Sequence, residues 1–153
     1  MLKSKGEVLI IDDDPLLLMN YADLLEDNSY TVTEASSFVQ AKNITASKKF
    51  DLIICDHDLG DGKGADLIKI WSDSGDSTPV IFLSGARKEL LDNVGNFAAV
   101  KAVRAKPVPE YEILELVRKE IRKTDAESRY PKLINDDERN ELLKNFTFIT
   151  PEE

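Results

Sequence analysis

Residues Val8 to Pro15 read VLIIDDDP, four apolar side chains followed by three aspartates and a proline. An uninterrupted apolar run of this length suits a strand covered on both faces. The three adjacent carboxylates repel one another, so the mouth of that strand calls for a compensating cation. Asp14 followed by Pro15 reads as an N-cap with proline at the first helical position, which starts a helix where the acidic run stops.

Outward from this stretch, short apolar runs alternate with amphipathic ones. Further strands are expected at Tyr30–Ala35, Asp51–Cys55, Pro79–Leu83 and, more weakly, Ala99–Val103. Helices are expected over Pro15–Asp27, Ser36–Lys48, Gly64–Asp73, Arg87–Asn96 and Pro109–Lys123. In the last of these, Ile113, Leu114, Val117 and Ile121 share one face at helical spacing. Five β-α pairs predict an α/β fold, a doubly wound parallel sheet with helices on both faces. The three most apolar strands belong in its centre and the more polar 30–35 at an edge. That arrangement is the 2-1-3-4-5 order of flavodoxin-like sheets.

The 153 residues, 42% of them apolar, suffice for one core. A net charge of -9 argues against nucleic-acid and anionic-membrane partners, which need a basic footprint. The single cysteine, Cys55, allows no intrachain disulfide and favours a reducing compartment. No stretch approaches the roughly 18 apolar residues of a membrane span, and the chain reads as cytoplasmic. The domain is expected over residues 1–123. Residues 124–153 carry eight acidic and four basic residues, too short a segment for a second core. Within them "TDAESRYPKLI" reads as a connector, and Asn135 with Glu138 as the start of a short helix whose apolar side is Leu142, Leu143 and Phe146. This extension is either a solvated tail or a segment that docks on its own domain or on a second subunit, which leaves a homodimer open.

In open parallel sheets the ligand lies beyond the carboxyl ends of the strands. Asp12 and Asp13 stand at the end of the first strand, Asp56 at the end of the third with Asp58 two residues on, Ser84 at the end of the fourth and Lys106 at the end of the fifth. With the first and third strands adjacent, Asp12, Asp13 and Asp56 meet as a hard-oxygen site suited to Mg²⁺. An aspartate there can also act as a nucleophile toward a phosphoryl group. Such a transfer needs positioning and charge neutralisation, for which a cation, the Lys106 ammonium and the Ser84 hydroxyl are the right groups.

The segments "VLIIDDDP", "DLIICDHDLGDGKG", "PVIFLSGA" and "AKPV" resemble the signature segments of response-regulator receiver domains of two-component signalling, across residues 7 to about 123. The resemblance implies a CheY-like phosphoacceptor that receives its phosphoryl group from a histidine kinase or a histidine phosphotransfer protein and signals to a downstream protein. It also implies that Asp56 is the acceptor, that Asp13 binds Mg²⁺ (or Mn²⁺) directly and Asp12 through water, and that the backbone carbonyl of Asp58 is a further ligand. Ser84 would be the switch hydroxyl, Lys106 the essential lysine and Gly64 the glycine that lets the loop close. Beyond self-catalysed transfer and slow autodephosphorylation, no enzyme activity is implied.

Three positions depart from the pattern. Gly60 stands where the family usually has proline, which is expected to loosen the loop. Val103 replaces the usual aromatic switch residue, and Ala99-Val100 replaces Gly-Ala. An aromatic that turns inward cannot report phosphorylation here, so signalling is expected to move the loop after Ser84 and the helix from Arg87. His57, the only histidine, reads as a solvated loop residue, and Cys55 and Trp71 as packing. Asp58 either positions a hydrolytic water or repels an anionic phosphodonor, or is an inert loop carboxylate. Two other functions compete: a receiver-like interaction module independent of phosphorylation, and a haloacid-dehalogenase-type phosphatase suggested by Asp56-x-Asp58. The second has its acidic pair in the wrong order along the chain.

Overall fold

The structure, a computed structural model, describes residues 3–85, 94 and 96–129. Strands β1 (Glu7–Ile11), β2 (Thr31–Ala35), β3 (Leu52–Asp56), β4 (Val80–Ser84) and β5 (Val100–Ala105) form one parallel sheet in the order β2-β1-β3-β4-β5. Helices α1 (Pro15–Asp27), α2 (Phe38–Ser47), α3 (Gly64–Asp73) and α4 (Glu110–Arg129) cover it. The doubly wound α/β architecture and its strand order are those expected from the apolar runs.

Alternation along the strands builds two cores, one on each face. Val8 and Ile10 of β1 join Leu52 and Ile54 of β3 and Ile81 and Leu83 of β4 beneath α1 and α4. Leu9, Ile11, Ile53, Cys55, Val80 and Phe82 point the other way, toward Leu67, Ile68 and Trp71 of α3 and Ala41 of α2. All five residues of β3 and of β4 are buried, whereas β2 is half-exposed at the sheet edge. Each fully buried isoleucine or leucine contributes about 1.5–3 kcal/mol, enough to hold the strands that end in charge.

Local chemistry sets the helix ends. Asp14 Oδ1 accepts from the N–H groups of Leu16 (3.0 Å) and Leu17 (3.4 Å), and Pro15 occupies the first turn, so α1 begins and ends where the sequence placed it. Trp71 is buried and donates its indole N–H to Thr45 Oγ1 at 2.9 Å, which ties α3 to α2. The helix α4 runs to Arg129, past the expected end at Lys123, because Ala126, Glu127 and Arg129 are good helix formers. The expected helix over Arg87–Asn96 and the segment from residue 130 lie outside the described residues, apart from Val94 and Asn96. Among the described residues no helix is long and apolar enough to cross a membrane.

Candidate functional site

Asp12 follows β1, Asp56 and Ser84 are the last residues of β3 and β4, and Lys106 follows β5. Because the strands are parallel, all four lie at one edge of the sheet. Asp12 is held there three ways: its N–H donates to the Ala35 carbonyl (3.1 Å), its Oδ1 accepts from Asp14 N–H (2.9 Å), and its Oδ2 meets Lys106 Nζ at 2.9 Å. The same ammonium lies 3.1 Å from Asp56 Oδ1. Lys106 N–H donates to the Ser84 carbonyl at 2.9 Å, so the backbone of β4 fixes the position from which the lysine reaches across.

Carboxylate oxygens of Asp12, Asp13 and Asp56 lie within 4.8 Å of one another. Asp12, Asp56 and Ser84 are buried, and Asp13 is exposed at the mouth. Burial first, then the charge of Asp12, raises the Asp56 pKa, against the opposing pull of Lys106. Burial would lower the Lys106 pKa, yet the hydrogen bond to Asp12 and the charges of Asp56 and Asp12 raise it on balance. Among the described residues three carboxylates therefore face one ammonium, and the deficit of positive charge falls on the open side. The donor set, oxygen only and partly exposed, fits a hard divalent cation that keeps several waters.

The β3–α3 loop closes over this edge. Gly64 N–H donates to the His57 carbonyl at 2.6 Å, and His57 N–H donates to the Leu83 carbonyl at 3.0 Å. A Cβ on Gly64 would come within 2.6 Å of the Asp56 carbonyl oxygen, so only glycine permits this approach. The Asp58 carboxylate turns outward. Gly60 N–H (3.4 Å) and then Lys63 Nζ (3.4 Å) hold its pKa below the usual carboxylate value, and the exposed ion pair is worth little. Gly60 has φ +79, a conformation closed to proline, so the departure at this position is built into the loop.

His57 is half-buried rather than freely solvated, and its Nδ1 is buried without a hydrogen-bond partner among the described residues. The Cys55 thiol is fully buried and its pKa is pushed well up, chiefly by that burial, which makes it the packing group expected. Val103 is buried in the core on the α2–α3 side of the sheet. Two features had no sequence signal. Between α1 and the β5–α4 turn, a groove of about 410 Å³ beside Lys106 is lined by Leu17, Tyr21, Pro107 and Val108. Asp61 in the β3–α3 loop accepts from the first two N–H groups of α2.

Residues 8–118 match the response regulator receiver domain family. The chain belongs to this family. Its receiver is 35% identical over 66 residues to the alginate biosynthesis transcriptional regulatory protein AlgB of Pseudomonas aeruginosa, covering 43% of this chain and 15% of that protein. It is 30% identical over 87 residues to the regulatory protein VirG of Agrobacterium fabrum, covering 57% of this chain and 34% of that protein. The matches thus span a minor part of these curated relatives. Among solved structures, a CheY-like response regulator receiver domain protein from Methanospirillum hungatei superposes with a TM-score of 0.74 at 26% identity, over 83% of this chain and 99% of that one. A receiver is a signalling module; receiver domains bind Mg²⁺ at an acidic pocket, and this one carries the Asp12, Asp13 and Asp56 cluster.

Proposed function

We propose that this receiver accepts a phosphoryl group on Asp56 from the phosphohistidine of a histidine kinase or of a histidine phosphotransfer protein, and passes the signal on by protein contacts. The observation that carries this reading is Lys106 Nζ shared between Asp12 and Asp56, 2.9 and 3.1 Å away, beside a free-facing Asp13. In the transfer, a carboxylate oxygen of Asp56 forms the new O–P bond as the N–P bond of the donor breaks, and the imidazole leaves with the electron pair. Lys106 neutralises one phosphoryl oxygen and the Ser84 hydroxyl donates to another. Asp13 directly, Asp12 through water, and Asp56 and the Asp58 carbonyl are the residues that would hold Mg²⁺ or Mn²⁺, whose charge offsets the phosphoryl oxygens. Leu16 and Met19 are large exposed apolar residues on α1, and they give the phosphodonor a surface to dock on.

Residues 1–123 form the phosphorylated unit in this reading and 124–153 an extension of it, in a cytoplasmic protein whose downstream target is another protein. The test is labelling of the full chain by radioactive acetyl phosphate with Mg²⁺. Label that is stable to acid, labile to hydroxylamine and absent in Asp56→Asn is the expected result. No label on the wild-type chain with either Mg²⁺ or Mn²⁺ would make it an interaction module independent of phosphorylation. Rapid turnover of many phosphoesters would make it a phosphatase.

A further inference from the structure

We infer that Asp61 is a positioning residue, which clamps the β3–α3 loop to the start of α2 and so holds the Asp58 backbone at the cation site. This loop lacks the usual stiffening proline and instead carries Gly60 with φ +79. Its internal bonds are the antiparallel bridge between Asp58 and Lys63 with Leu59 N–H on the Gly62 carbonyl (3.1 Å) and Gly64 N–H on the His57 carbonyl (2.6 Å), Asp61 N–H on the Leu59 carbonyl (2.9 Å), and the Gly60 N–H and Lys63 Nζ contacts to Asp58 Oδ1 (3.4 Å each). A glycine-containing loop tied only to itself still has entropy to lose before it can present one carbonyl in a fixed place.

The Asp61 carboxylate supplies the outside anchor. Phe38 N–H donates to its Oδ1 at 2.8 Å and Val39 N–H to its Oδ2 at 3.2 Å, while Gln40 N–H is taken by Ser37 Oγ at 3.0 Å. The first three N–H groups of α2, which have no partner within the helix, are all satisfied, two of them by a residue 23 and 22 positions later. The positive end of the helix favours a carboxylate there, and the Phe38 N–H holds the Asp61 pKa below its usual value. The Phe38 ring packs on Gly62, where an added Cβ would come within 2.6 Å of it, so the clamp has a steric half beside its polar one.

The role of Asp61 in cation binding rests on the proposed Mg²⁺ site, but its hold on the loop can be read without a metal. The experiment compares Asp61→Ala and Asp61→Asn in the full chain by amide hydrogen exchange at Leu59–Lys63 and by calorimetric titration with MgCl₂. Asparagine keeps an acceptor for one of the two helix N–H groups and alanine for neither. Asp61→Ala is expected to speed loop exchange and to weaken Mg²⁺ binding by about 3- to 10-fold, the size of a lost helix cap, with Asp61→Asn between wild type and Asp61→Ala in both. The labelling rate from acetyl phosphate at saturating Mg²⁺ should stay near the wild-type rate, which separates positioning from chemistry. Unchanged loop exchange in Asp61→Ala overturns the inference, as does a lower melting temperature with unchanged Mg²⁺ affinity. Failure of the proposed function would show elsewhere, as a wild-type chain that takes no label.

Discussion

Lys106, 94 residues after Asp12, places its Nζ 2.9 Å from the buried Asp12 Oδ2. The same ammonium lies 3.1 Å from Asp56 Oδ1, so one positive group is shared by two buried carboxylates. Lys106→Met removes it and leaves Asp12 and Asp56 facing each other, a loss of about 1–3 kcal/mol on the scale of buried groups left unpaired. Thermal melts should show that loss in EDTA and a partial recovery in MgCl₂, since a divalent cation restores positive charge at the same carboxylates. The pKa of Lys106 is raised above 10.5, so its contribution is intact at neutral pH and fades only as pH rises through the folded-state value.

Mg²⁺ itself should stabilise the chain. A ligand at one hundred times its Kd adds about 2.7 kcal/mol to a protein that binds it only when folded. Asp13 is the exposed member of the cluster, so Asp13→Asn can remove one ligand charge without disturbing the core. Melting temperature against MgCl₂ concentration should rise for wild type and rise far less for Asp13→Asn. Equal gains in both would mean that Asp13 does not bind the ion.

Two glycines beside the site give separate tests of local geometry. Gly64→Ala would press its Cβ to 2.6 Å from the Asp56 carbonyl and 2.9 Å from Phe82, both of them fixed groups. A cost of about 1–3 kcal/mol is expected in urea unfolding, together with slower labelling of the displaced Asp56.

Gly60→Pro restores the residue usual in the family, and for that reason it would be expected to stiffen the loop. The observed φ of +79 reverses that expectation: proline is locked near -65°, and it also lacks the N–H that Gly60 offers to Asp58 Oδ1. The variant should be destabilised by more than about 1 kcal/mol. A stability gain would show that the loop adopts a second conformation.

The sheet and most of the site were legible because both depend on simple regularities. Apolar runs of strand length placed β1, β3 and β4, and the direction of a parallel sheet then required Asp12, Asp56, Ser84 and Lys106 to share an edge. The end of α4 was not legible. Its apolar periodicity stops at Ile121, and from there helical propensity alone carries the chain to Arg129. The clamp was hidden for another reason. Asp61 caps a helix that begins 23 residues before it, and no local spacing marks such a bond. His57 read as solvated because its own segment is polar, while the burial of Nδ1 comes from the fold around it.

Asp56 should make stability depend on pH in a direction opposite to that of an ordinary paired carboxylate. Its pKa is raised from 3.8, first by burial and then by Asp12, so between 3.8 and the folded-state value the native chain holds more protons than the unfolded one. Stability from this group therefore falls as pH rises through that window, and the full cost of the buried charge is present above it. Asp56→Asn removes the charge and leaves Asp58, Asp61 and Asp76, whose pKa values are lowered, in place in both proteins. Their acid-labile contributions cancel in the comparison. Asp56→Asn should thus be more stable than wild type at pH 7, with the difference shrinking as pH falls toward 3.8. Chemical denaturation of both proteins from pH 4 to 7 without metal measures it. A difference that stays constant over that range would mean that Asp56 titrates alike in the folded and unfolded chains.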